Sequence, residues 1–238
     1  MYGIMFKLIL LGTVHHDPRG LKRLVEDLYK LAPRTITVEL SPYGLRYRLK
    51  NKRSLHERFL RGLHKIQGTV NLNMGELKKL LRSTGIGGIR ALFDLPFEYK
   101  GAGFYCRSRN IPLYCVDISS LSVRLLSHVN ELLSVENLKK VITFEPETLQ
   151  AAVTREYKLA EDVLLYVRQS PWSSLITADE EWKTREQIVA NKVRKIVTKN
   201  PGRTIVHIGG WQHLVARQGT LFNLLEDLEP KRILLGHS

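Results

Sequence analysis

Two short units combine residue types and spacing suited to chemistry: Gly12-Thr13-Val14-His15 and Gly210-Trp211-Gln212-His213, each a glycine followed three positions later by a histidine. Each comes straight after an apolar run, Leu8 to Leu11 in the first case and the RTIVHI segment Arg203 to Ile208 in the second. Glu39 closes another such run, Thr35 to Leu40, and Asp117 closes a fourth, Leu113 to Val116. Two imidazoles and a carboxylate make a reasonable divalent-metal set that leaves a position open for water. His15, His213 and Glu39 are therefore the expected ligands, with manganese, cobalt or zinc as the ion. Such an ion would polarise a carbonyl and make water more acidic, while Arg185 stabilises the anionic intermediate or orients Glu39. Without a metal, Glu39 or His15 would act as general base. The same groups also have structural uses, the histidines as hydrogen-bonded core or turn residues and Glu39 with Arg185 as an ion bridge.

These residues share a site only if the apolar runs are strands of one sheet. In open α/β sheets, ligands bind in the crevice at the carboxyl ends of the strands, where Gly12, Gly210, Glu39 and Asp117 would all lie. The run before Gly12 is nearly continuous, as a strand covered on both faces requires. Asp17-Pro18 reads as a helix start, with Leu21, Leu24, Val25, Leu28 and Leu31 on one stripe that stops at Pro33. Strand, helix and strand then make a parallel unit over the first forty residues. Further on, Asn73 with Glu76 resembles a capping box, and Pro96 to Arg109 reads as a helix. Ser83 to Gly88, STGIGG, is expected to be a mobile loop, since it lacks the Lys-Ser or Lys-Thr that completes a phosphate-binding loop. Thr177 with Glu180 opens another helix, whose apolar stripe of Trp182, Val189, Val193 and Ile196 also carries Arg185. An inward guanidinium needs a carboxylate or a bound anion. A closing helix around Leu221 to Leu228 and a short strand at Arg232 to Leu235 end the chain. The expected fold is α/β, a mostly parallel central sheet flanked by helices. It forms a single domain over residues 1–238, with helical insertions or a lid at about 43–95 and 121–176.

Composition bounds the remaining choices. Hydrophobic residues make up 43% and charged residues 25% of the 238, ordinary for a globular protein, but the net charge is +14. That field attracts polyanions, and Tyr43 to Lys65 concentrates it, with eight Lys and Arg against a lone Glu57. Cys106 and Cys115 form no C-x-x-C pair and are expected to be free thiols. No stretch approaches the ~20 apolar residues of a membrane span, and no secretory leader is read, so the expectation is a cytoplasmic protein. A homo-oligomer is compatible with the sequence. His207 reads as structural, and His56, His64, His128 and His237 show no metal-ligand spacing.

Taken together, the motifs resemble the TraB/PrgY family, grouped with Tiki-type metalloproteases, erythromycin esterases and ChaN-type haem-binding proteins. The segments carrying the resemblance are GTVH (Gly12 to His15), VEL (Val38 to Leu40), TREQIVANKV (Thr184 to Val193) and GGWQHLVARQG (Gly209 to Gly219), with Glu98 and Asp117 at weaker positions. The resemblance implies an α/β sheet whose site is built from the paired histidines, the strand-end Glu39 and the helical Arg185. It implies a divalent-metal-dependent hydrolase acting on a peptide or small-molecule ester. The chain departs from the pattern in His16, which follows His15, and in Trp211 and Gln212, where a bulky Trp211 is expected to narrow the pocket. The alternative is a non-enzymatic binding or signalling module for an anionic ligand: haem, nucleic acid or a membrane surface.

Overall fold

The computed structural model describes residues 7–70, 73–143, 147–166 and 179–237. Its centre is a five-stranded sheet in which all described strands run parallel: β1 (Lys7–Thr13), β2 (Thr35–Val38), β3 (Leu113–Cys115), β4 (Thr204–Gly210) and β5 (Lys231–Leu234), in the order β3-β2-β4-β1-β5. The α/β architecture expected from the apolar runs is therefore present. β1 and β4 lie side by side at the middle, with Gly12 opposite Gly209 and Thr13 opposite Gly210.

Alternation along β1 explains its unbroken apolar character. Ile9 and Leu11 enter one core, together with Leu24 and Leu28 of α1 (Gly20–Leu31), Ala102, Tyr105 and Cys106 of α5 (Phe97–Arg109), and Val153, Tyr157 and Ala160 of α9 (Leu149–Tyr166). Leu8 and Leu10 enter the other, with Val189, Val193 and Val197 of α10 (Glu180–Thr198) and Leu221 of α11 (Leu221–Leu224). Each face is closed by helices, as an all-parallel sheet requires.

The intervening helices form a cap with a core of its own: α2 (Pro42–Val70), α3 (Met74–Leu80), α4 (Thr84–Phe93), α6 (Ser119–Ser127), α7 (Val129–Leu132) and α8 (Val135–Thr143). Phe59 and Ile66 of α2, Ile86 and Phe93 of α4, Leu126, Val129 and Leu138 are buried together. The two expected insertions thus meet as one layer, except that α9 returns to the sheet. The Asn73 capping box forms, with Glu76 N–H donating to Asn73 Oδ1 at 3.0 Å and Asn73 N–H to Glu76 Oε2 at 2.8 Å.

Several local expectations are corrected. Ser83 to Gly88 is not a loop: Ser83 Oγ accepts the Ile86 N–H at 3.4 Å and starts α4, whose buried Ile86, Ile89 and Phe93 outweigh the low helix propensity of its glycines. Asp17 does not cap α1. It accepts the Arg19 N–H at 2.8 Å in a preceding turn and pairs with Arg23 at 2.9 Å, and the helix begins only at Gly20. Thr177 lies outside the described residues, and the side chain that caps α10 is Asp179, accepting the Trp182 N–H at 2.7 Å.

Candidate active site

The crevice at the carboxyl edge of the sheet holds the expected residues. β1 and β4 deliver the two histidines from adjacent strands, but their backbones differ: His15 lies in a turn followed by His16 in the left-handed region at φ 68°, whereas His213 lies on a 3-10 turn, Trp211–Leu214. Glu39 follows β2 directly, fixed by its N–H on the Ile208 carbonyl at 2.9 Å. Asp117 follows β3, its N–H on the Leu40 carbonyl at 3.3 Å. The first two turns of α10 bring Trp182, Arg185 and Glu186 to the same edge, since positions i, i+3 and i+4 share one helix face.

Glu39 is the hub. His213 Nε2 stands 3.0 Å from its Oε1, His15 Nε2 3.9 Å from its Oε2, Arg185 Nη2 donates to Oε1 at 2.5 Å, and the Gly210 N–H donates to Oε2 at 2.7 Å. Arg185 also holds Asp117 with both a 2.8 Å bond from Nε and a 2.9 Å bond from Nη2. Lys192 steadies this strand end from behind, its Nζ donating to the Val116 and Asp117 carbonyls at 3.0 and 3.1 Å.

Behind each histidine stands another carboxylate. His15 Nδ1 lies 2.8 Å from Glu98 Oε1, which also accepts the Thr13 hydroxyl at 3.0 Å. His213 Nδ1 lies 2.7 Å from Glu186 Oε1, in ion-pair contact but out of line for a straight hydrogen bond. The other Glu186 oxygen accepts the Leu221 N–H at 2.6 Å, at the start of α11. Burial alone would lower both histidine pKa values, but the adjoining carboxylates reverse it, raising His15 to about 9 through Glu98 and Glu39, and His213 to about 10 through Glu39 and Glu186. Burial would raise the Glu39 pKa, and His213, Arg185 and His15 instead hold it well below the usual carboxylate range.

Access differs between the two histidines. A cavity of about 640 Å³ between sheet edge and cap is lined by His15, Glu39, Glu98, Asp117 and Arg185. The His15 side chain is 46% exposed, whereas that of His213 is 7% exposed and stacked under Trp182, with ring planes 5° apart and centroids at 5.7 Å. His15 is the histidine a substrate can touch. Gly210 keeps that approach clear, because a Cβ there would stand 3.0 Å from His15 Nε2. Gly12 has a packing role instead, a Cβ there meeting Leu214 Cδ2 at 2.8 Å. Trp211 does not narrow the cavity: it is buried in the core beside the sheet, with Nε1 on Glu156 at 3.0 Å.

Among the described residues, no group of three or more His, Cys, Asp or Glu is arranged to hold a metal ion as it stands. The chemistry of the donors nevertheless fits one. Metal-binding histidines usually rest their second nitrogen on a carboxylate, as His15 and His213 both do here, while their Nε2 atoms turn toward one shared carboxylate. Charge fits as well. Two protonated histidines and Arg185 face Glu39, Glu98, Asp117 and Glu186, and one divalent ion in place of the two imidazolium protons leaves that balance unchanged.

Glu186 was missed as a site residue by the sequence reading, although it lies on the buried stripe Glu186, Val189, Ala190, Val193 and Val197. That stripe, rather than one through Arg185, packs into the core, and a fully buried acid on it signals a partner. Thr13 and Trp182 carried no signal. His207, read as structural, is buried with Nδ1 on the Thr37 hydroxyl at 2.9 Å and no partner for Nε2, and burial lowers its pKa to about 3. The chain matches no family model, no curated protein and no solved structure.

Proposed function

We propose that this protein is a metal-assisted hydrolase acting on a peptide or ester bond. One observation carries the reading: two histidines in the turns that follow adjacent strands, each backed by a buried carboxylate at Nδ1, turn Nε2 toward one Glu39 at the floor of a cavity. The resemblance of the GTVH and GGWQHL segments to TraB and Tiki-type chains is in accord with it. His15, His213 and Glu39 would hold a divalent ion, which supplies a Lewis acid that acidifies water and polarises the scissile carbonyl.

The side chains divide the remaining work. Glu39, held far below its usual pKa, is a weak base and suits a fixed negative charge better than proton abstraction. His15, the accessible imidazole, would hold the ion on the side of the site open to the cavity, oriented by Glu98 at its Nδ1. Arg185, anchored by two acids, presents a fixed positive charge to an oxyanion at the cavity floor. Trp182 shields His213 from water, which strengthens its ion pairs.

Metal-free protein reconstituted with manganese, cobalt or zinc is expected to hold the ion stoichiometrically by elemental analysis. His15→Ala and His213→Ala should lose it while remaining folded, and hydrolysis of peptide and ester libraries should fall by about a hundredfold or more. Wild-type protein that holds no ion under any of these conditions would remove the metal-assisted mechanism. A second reading, a binding module for a polyanion, rests on α2, which exposes Arg46, Lys50, Arg53, Arg58 and Arg61. Steeply salt-dependent binding to RNA, DNA or anionic vesicles, with no metal-dependent turnover, would favour it.

A further inference from the structure

The cap wall of the cavity carries a charge that no acid among the described residues balances. Arg48, on α2, lines the same cavity as His15, Glu39 and Arg185. Among the described residues its guanidinium reaches only main-chain carbonyls, Nη1 to Gly44 at 3.2 Å and Nη2 to Ala91 at 3.4 Å, and the buried Nε has no hydrogen-bond partner there. The nearby acid of this wall is already engaged, since Asp94 pairs with Arg90 at 3.4 Å and with Lys52 at 3.7 Å. Burial lowers the Arg48 pKa, the direction expected of a cation desolvated without a counter-charge. A half-buried guanidinium keeps its proton and calls for an anion.

The surroundings of Arg48 are polar and open. A Cβ at Gly44 would stand 3.0 Å from Arg48 Nη1, 3.0 Å from Ser41 Oγ and 3.3 Å from Ser122 Oγ, so the guanidinium lies beside two hydroxyls that also line the cavity. Ser122 Oγ accepts from Ser41 at 2.6 Å. The left-handed turn at His16 sets its ring 6.3 Å from that of His15, and it too lines the cavity.

We propose that Arg48, with Ser41, Ser122 and His16, forms a subsite for a carboxylate of the substrate, so that the protein acts on an acidic peptide or a carboxylate-bearing ester. One half-buried positive charge matches a singly charged carboxylate. A phosphate dianion would leave surplus negative charge close to Glu39, Glu98 and Asp117. Exposed Lys100, also on the cavity lining, adds to the field that draws an anion in. The second half of the proposal rests on the hydrolase reading; the binding half does not.

The test is calorimetric titration at fixed ionic strength with N-acetyl-glutamate α-methylamide, which has one carboxylate, N-acetyl-glutamine α-methylamide, which has none, and inorganic phosphate. Wild-type protein is expected to bind the glutamate compound about tenfold or more tightly than the glutamine compound, with phosphate no tighter than the glutamine compound. Arg48→Met should erase the difference, and Arg48→Lys should keep part of it, with folding of both checked by thermal melting. The wild-type comparison stands even if both variants unfold. Equal binding of the two methylamides, no heat from the glutamate compound up to about 50 mM, an undiminished preference in folded Arg48→Met, or phosphate binding most tightly would each overturn the carboxylate subsite. Selective binding without turnover of any ester or peptide would sink the hydrolase reading and leave the subsite standing, whereas turnover indifferent to the carboxylate would do the reverse.

Discussion

In the proposed site a divalent ion would compete with protons for the Nε2 atoms of His15 and His213, which makes the pH dependence of metal affinity the most direct residue-level check. With His15 raised to about 9 and His213 to about 10, both ring nitrogens carry protons near neutral pH, and an ion must displace them. Affinity is therefore expected to rise with pH by about tenfold to a hundredfold per unit between pH 6 and 8, with up to two protons released per ion in calorimetry run in buffers of different ionisation enthalpy. Glu186→Gln keeps an acceptor for the Leu221 N–H but removes the charge behind His213, and should weaken metal binding about 10- to 100-fold. His207 makes a different, structural prediction. Its unfolded form takes up a proton near pH 6.5 and its folded form only at about 3, so stability is lost as pH falls through that window. Denaturant unfolding of His207→Gln is expected to show a shallower loss than wild type over the same range. At this scale the sequence was informative where a residue closed an apolar run: His15, His213, Glu39 and Asp117 all reach the site. Glu98 and Glu186 act through His15 and His213, partners distant in the chain, which no local spacing reveals.

Among the elements, the strands were legible because a parallel sheet writes itself as short apolar runs, and β1, β2, β3, β4 and β5 all fall within two residues of those runs. Helix α4 was hidden by its own glycines. Gly85 and Gly87 are small where α4 meets neighbours, a Cβ at Gly85 standing 2.5 Å from Val141 Cγ1 and one at Gly87 3.3 Å from Leu149 Cδ2, so tertiary packing overrides propensity. Gly85→Ala should accordingly destabilise the cap by about 1–3 kcal/mol through overpacking. Ser83→Ala, which removes the helix cap, should cost about 1 kcal/mol. Hydrogen exchange should register both losses in α2, α4 and α8 before the sheet, because the cap has its own core. The reading of α10 placed Arg185 on the buried stripe; the buried side chain is Glu186, and Arg185 sits one position round the helix, 15% exposed at the cavity floor.

For the whole molecule, the assembly of two insertions into one cap was not written in either segment, because each supplies half of an apolar core and pairing halves separated by β3 is a tertiary event. Among the described residues no helix is long and apolar enough to cross a membrane. The strand order has a further consequence, in the order of events during synthesis. β1 and β2 are both made within the first forty residues, yet they are not neighbours: β4 occupies the place between them. Until Thr204–Gly210 has left the ribosome, the sheet has a vacant central slot and two unsatisfied inner edges, and both histidines lack a common floor. Folding of the sheet is therefore expected to wait on β4, with contacts of high sequence separation and correspondingly slow kinetics. Nascent chains arrested before residue 204 should be protease-sensitive throughout the sheet, whereas their cap helices can already collapse. The site is thus completed by β4 and the turn that follows it, after β1, β2 and β3 have already been made.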